Sequence, residues 1–138
     1  MKTRVLITTA VALAAAAGIA RAETACADIE VHNVRPQQGV LMVAAYNKPE
    51  GFGKEALASL RAPAGDAVTT LRLCGLAGTE VALTLFQDLD GDGRMGRNAF
   101  GMPTEPWGAS GSPGLMGPKW ESTRVPLDGR AIVVRLSV

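Results

Sequence analysis

The chain has 138 residues, 47% of them hydrophobic and 20% charged, with 14 basic residues against 13 acidic and a single histidine. That length suits one domain with one core, and a near-neutral balance with no clustered basic stretch argues against a nucleic-acid partner. The two cysteines, Cys26 and Cys74, lack the C-x-x-C spacing of a thiol-exchange site, which excludes that redox chemistry.

Residues 1–22 read as a secretory signal peptide. Lys2 and Arg4 precede an apolar run from Val5 to Ile19, and Ala20-Arg21-Ala22 places small residues at a cleavage point after Ala22. The run of about 15 apolar residues falls short of the roughly 20 that span a bilayer. Cleavage leaves 23–138 as a single domain, bound for the periplasm or the exterior. Lys2, Arg4 and Arg21 leave with the signal, so the net charge moves from +1 to −2. In such an oxidising compartment an even cysteine count points to a Cys26–Cys74 bridge, two buried free thiols being the other reading.

From Cys26 to Val34 the pattern alternates, Ile29 and Val31 on one face and Asp28, Glu30 and His32 on the other, which predicts a half-buried strand. Arg35 to Gly39 is a turn built on Pro36 and Gly39. Val40 to Asn47 is apolar on both faces and reads as a central strand, joined to the first as an opening hairpin. Lys54 to Arg61 fits either one or two helical turns or a short edge strand. Val68 to Leu73 turns Leu71 and Leu73 inward, and Val81, Leu83 and Leu85 form the inner face of the next strand. Near the end Thr123, Val125 and Leu127 alternate, Asp128-Gly129 reads as a hairpin turn, and Ile132, Val134, Leu136 and Val138 make a last strand. Six or seven short strands with little helix predict an all-β, antiparallel, immunoglobulin-like β-sandwich.

Between the strands lies Phe86 to Glu121. Residues 88–120 hold eight of the sixteen glycines, four of the eight prolines and both tryptophans. Ordinary connections run about 4–6 residues, so one long Gly/Pro/Asp-rich loop is where function is expected, and its aromatics argue for order. Asp88, Asp90 and Asp92 alternate and Gly93 follows. These match the first, third, fifth and sixth positions of an EF-hand calcium loop, with the Arg94 carbonyl seventh. The match then stops: Gly96 and Ala99 hold the ninth and twelfth positions, and a strand, not a helix, leads in. The expectation is a partial calcium site of Asp88, Asp90, Asp92 and Arg94, with Asn98 or Glu105 adding oxygens. The other reading is a turn whose aspartates cap backbone amides. Further along, two prolines stiffen Gly101 to Trp107. Phe100, Glu105, Trp107 and Trp120 form a candidate surface for a carbohydrate or protein partner, or else the aromatics fold back over one end of the sandwich.

No catalytic constellation stands out. His32 sits on a solvent face, Ser110 and Ser112 have no second histidine to activate them, and no G-x-S-x-G elbow is present. The expectation is a non-enzymatic module, with a purely structural domain, and a hydrolase pairing Glu105 with a loop aspartate, as the alternatives.

Phe86 to Glu121 resembles the signature of a family of small secreted bacterial proteins, the domain-of-unknown-function family numbered 2141. Asp88, Asp90, Asp92, Gly93, Asn98, Phe100, Gly101, Pro103, Glu105, Gly108, Ser110, Gly117, Pro118 and Glu121 fit it, with Trp120 at an aromatic position. Gly39 to Ala44 with Glu50-Gly51-Phe52, and Leu76 to Leu85, extend the likeness. Gln87 stands where the signature has histidine, and Gly96 where it has an acidic residue. The resemblance implies a transthyretin-like seven-stranded sandwich in the cell envelope, and no particular reaction.

Overall fold

The computed structural model describes Gly18 and residues 24–137. The expected signal peptide and its cleavage point lie outside the described residues, Gly18 apart. Period-two alternation sets the strands: β1 (Ala25–His32), β2 (Val40–Tyr46), β3 (Ala58–Pro63), β4 (Val68–Leu76), β5 (Glu80–Asp88), β6 (Trp107–Ala109), β7 (Arg124–Pro126) and β8 (Ile132–Arg135). One 3-10 turn, Pro49–Gly51, and one helical turn, α1 (Trp120–Thr123), interrupt them. The fold is thus nearly all β, in two sheets, and eight strands stand among the described residues where seven were expected.

One sheet has the order β4-β1-β8 and the other β3-β2-β5-β6, with β7 also pairing β5. Ile29 and Val31 of β1, Leu71 and Leu73 of β4, and Val134 of β8 meet Leu41 and Val43 of β2 and Val81, Leu83 and Leu85 of β5 in one apolar core. Removing these side chains from water is the main driving force for the fold.

Three pairings differ from the sequence reading. The opening hairpin does not form: β1 pairs β4 and β8, while β2 pairs β3 and β5. The Arg35–Gly39 turn carries the chain from one sheet to the other, so the inward faces of β1 and β2 oppose each other across the core. Asp128-Gly129 likewise links strands of different sheets. The β1–β8 pair is parallel, so the fold is not wholly antiparallel. Lys54 to Arg61 resolves into turn followed by edge strand β3, and Thr123 falls in α1 instead of a strand.

The disulfide joins Cys26 of β1 to Cys74 of β4. Both cysteines are directed away from the core, and Cys74 is exposed. No helix among the described residues is long and apolar enough to cross a membrane.

Candidate functional site

The segment read as one loop is divided in two by β6, which pairs with β5 through Phe86–Trp107, Leu85–Gly108 and Thr84–Ala109. Gly108 lets β8 pass close to β6: a Cβ there would lie 2.4 Å from the Arg135 carbonyl oxygen. The first connection, 89–106, contains two successive turns, an inner one next to β5 and an outer one beyond it.

The inner turn begins where β5 ends. Gly91 and Gly93 take positive φ of 77° and 74°, which stops the strand. The Asp88 carboxylate accepts the Gly91 amide on Oδ1 at 2.9 Å and the Gly93 amide on Oδ2 at 2.8 Å. Asp90 accepts the Asp92 amide at 3.1 Å and Asp92 the Arg94 amide at 2.8 Å. The outer turn is a small hairpin in which Asn98 Oδ1 accepts the amides of Phe100 (2.9 Å) and Met102 (3.1 Å). Phe100 stands at its tip, 91% exposed.

Glu105 ties the turns together. Its Oε1 accepts the Leu89 amide and its Oε2 the Gly96 amide, both at 2.8 Å. The residue is buried, so its reading as part of a displayed surface is corrected. Gly96 explains itself here: a Cβ would fall 2.6 Å from Thr104 Oγ1, leaving no room for the acidic residue of the family signature without a shift. Replacing Glu105 with alanine is expected to cost about 2 kcal/mol, because two partly shielded amides lose a charged acceptor. Urea unfolding with chelator present measures this. A change within 0.5 kcal/mol, the scatter of about that size seen at ordinary surface positions, would contradict it.

Carboxylate oxygens of Asp88, Asp90 and Glu105 lie within 4.8 Å of one another. Asp88 and Glu105 are buried and Asp90 is exposed. Asp92 stands outside this group. Among the described residues the ion pairs are Glu30–His32, Asp28–Arg72, Glu80–Arg124 and Asp128–Arg130, so none neutralises the three. Burial pushes the Asp88 carboxyl up, but the Gly93 amide, the Asp90 side chain, the Gly91 amide and the charge of Arg61 together hold it below its ordinary value. The Asp92 amide pulls Asp90 down, but desolvation and the carboxyls of Asp88 and Asp92 leave it above its ordinary value. A hard cation such as calcium takes this all-oxygen donor chemistry.

The expected aromatic platform does not assemble. Trp107 is half-buried on β6 beside Phe86. Trp120, in α1, packs edge-on against Phe52 at 6.2 Å, and Phe52 against Tyr46 at 5.2 Å. Tyr46 pairs with Ala82, whereas the 89–106 turns leave from Asp88, six residues or about 20 Å further along β5.

Gln87 was read only as a missing histidine. It is fully buried, donating from Nε2 to the carbonyls of Arg35 (2.7 Å) and Gln38 (2.6 Å) and accepting the Arg35 amide at 2.9 Å. It clamps the 35–39 turn on the inward face of β5, opposite to Asp88. The signal was in the sequence: positions 81, 83, 85 and 87 share one face, so a polar residue at 87 is buried and needs partners.

No curated protein and no solved structure matches the chain. A family model does, over residues 29–134, with the description "Uncharacterized protein conserved in bacteria (DUF2141)". The match takes in both sheets and the whole of both turns, and the chain belongs to that family.

Proposed function

We propose that this protein is an exported, non-enzymatic β-sandwich module whose 89–106 turns hold a divalent cation, calcium by its chemistry, and present the Phe100 hairpin to a partner. The carrying observation is the gathering of Asp88, Asp90 and Glu105 oxygens from both ends of the connection within 4.8 Å, two of the groups buried and none ion-paired among the described residues. Such charges repel, and a cation relieves the repulsion. The signal-peptide pattern and the disulfide support export. Against a hydrolase, both Glu105 oxygens are already engaged by backbone amides.

The same amide contacts favour a second reading, a turn capped by its own carboxylates with a structural role only. Thermal unfolding separates the two. At a Kd of about 10⁻⁴–10⁻³ M, calcium at about 10 mM is a ten- to hundredfold excess and adds about 1.4–2.7 kcal/mol to the native state, so it is expected to raise Tm by several degrees over excess chelator. An unchanged Tm would leave the capped turn.

A further inference from the structure

In a β-strand the amide and carbonyl of one residue point to the same side, and those of the next residue to the other. That alternation fixes which main-chain groups of the three-stranded sheet are left over. The His32 carbonyl accepts the Leu136 amide at 3.0 Å, so the even-numbered residues of β1 face β8. Ile29 and Val31 therefore face β4, where their partners are Leu71 and Thr69. Val68, Thr70 and Arg72 then turn their amides and carbonyls away from β1, to the open side of the sheet. Among the described residues β4 has no second strand neighbour, and no turn or loop donates to these groups or accepts from them. All three residues are exposed. The other edges are closed or blunted. β8 has four residues and its end is met by Trp107, which exchanges both main-chain bonds with Ser137 at 2.9 Å. β3 ends in Pro63, and β7 has three residues and ends in Pro126. Proteins ordinarily guard an edge with proline, a bulge or an outward charge. From Val68 to Leu73, β4 has neither proline nor bulge, and its one charge, Arg72, leans back over β1 to Asp28 at 2.7 Å.

We propose that β4 pairs with β4 of a second copy of this chain, antiparallel about a twofold axis between the two Thr70 residues, so that two three-stranded sheets continue as one. What satisfies a row of unpaired amides and carbonyls is another strand. In this register Thr70 faces the partner's Thr70 and Val68 faces the partner's Arg72, so every outward group of the run finds its counterpart. Cross-strand threonines are a favourable pair, and the register keeps the two Arg72 charges apart, whereas an axis at Arg72 would set them directly opposite. An unrelated peptide fits worse. Such a peptide is selected by pockets beside the edge, and the recesses at Val125–Val133 and at Met42–Phe86 lie away from β4. With one unguarded edge per chain, the pairing closes at two copies and does not run on into a fibre. The contact lies on the three-stranded sheet and is independent of the carboxylate cluster.

A strand pair of this length buries less than the roughly 800 Å² per partner of a standard interface, so a Kd of about 10–100 μM is expected. Sedimentation equilibrium of the oxidised protein from about 5 μM to 1 mM, once with calcium and once with chelator, is expected to show the same monomer–dimer equilibrium in both. Amide hydrogen exchange locates the contact. At the upper concentration the amides of Val68, Thr70 and Arg72 are expected to slow, while that of Arg61, which alternation turns outward on β3, stays fast. Thr70→Pro removes an amide that β1 does not use, so the monomer is expected to keep its fold by circular dichroism, while dimerisation weakens about a hundredfold. If that variant unfolds, exchange in the native chain decides alone. A protein still monomeric at about 1 mM overturns the proposal and leaves the edge to a strand of another protein. A dimer that survives Thr70→Pro, or whose formation leaves the β4 amides fast, overturns it too. So does a dimer that requires calcium, because the contact then lies at the 89–106 turns.

Discussion

Replacing Cys26 and Cys74 together by serine is expected to lower the unfolding free energy by about 4 kcal/mol and Tm by on the order of 10–20 °C. The bridge closes a loop with a sequence separation of 48, and opening it restores that much freedom to the unfolded chain. The folded state loses little, because both side chains point away from the core and leave no cavity behind. The effect therefore belongs almost wholly to the unfolded state, and the urea m-value should rise as the unlinked chain expands. Urea unfolding of the oxidised protein and the double serine variant measures both quantities. A loss below about 1 kcal/mol would mean that the reduced, unfolded chain keeps β1 and β4 together by itself.

Gly39→Ala is expected to cost about 3 kcal/mol, the largest effect of any single substitution considered. Gly39 has φ of 62°, a conformation that costs alanine roughly 1–2 kcal/mol. A Cβ there would also lie 2.0 Å from the Asp88 carbonyl oxygen and 3.0 Å from the Leu89 Cα. Backbone, not a flexible side chain, is in the way, so the start of β2 must separate from the end of β5. The damage reaches the carboxylate cluster, since Asp88 pairs with Val40 next door. Gly53→Ala is the control: its φ is 73° but open space surrounds it, so it bears only the conformational part. Equal losses at the two positions would show that the close approach of the Gly39 turn to Asp88 carries no weight.

The inward faces of the strands were legible because burial imposes period two. Ile29 and Val31, Leu71 and Leu73, and Val81, Leu83 and Leu85 all point inward as their spacing says. The neighbours of each strand were not legible, because periodicity reports which face is buried and says nothing about which strand lies alongside. The pairing of β1 with β4 and β8 instead of β2 therefore left no sign in its periodicity. Strand β6 was hidden for another reason. Trp107-Gly108-Ala109 is too short to show a period, and its glycine, ordinarily weakening in a strand, is required by the close pass of β8. In the candidate site, Asp88, Asp90 and Asp92 read as a triad from their alternation, and the fold gathers only the first two. Glu105 enters from the far end of the connection, and only the folded turns bring it to Leu89 and Gly96.

Calorimetric titration of the oxidised, chelator-stripped protein with calcium tests the central claim most directly. The account expects one ion per chain, with Kd of about 10⁻⁴–10⁻³ M as for extracellular calcium modules, and expects the heat to vanish in Asp90→Asn. That variant removes a charge from the cluster, while the asparagine oxygen can still accept the Asp92 amide, so the turn keeps its shape. No binding up to about 10 mM calcium, or binding that Asp90→Asn leaves unchanged, would contradict it and leave Asp88, Asp90 and Glu105 as the internal fastenings of a capped turn.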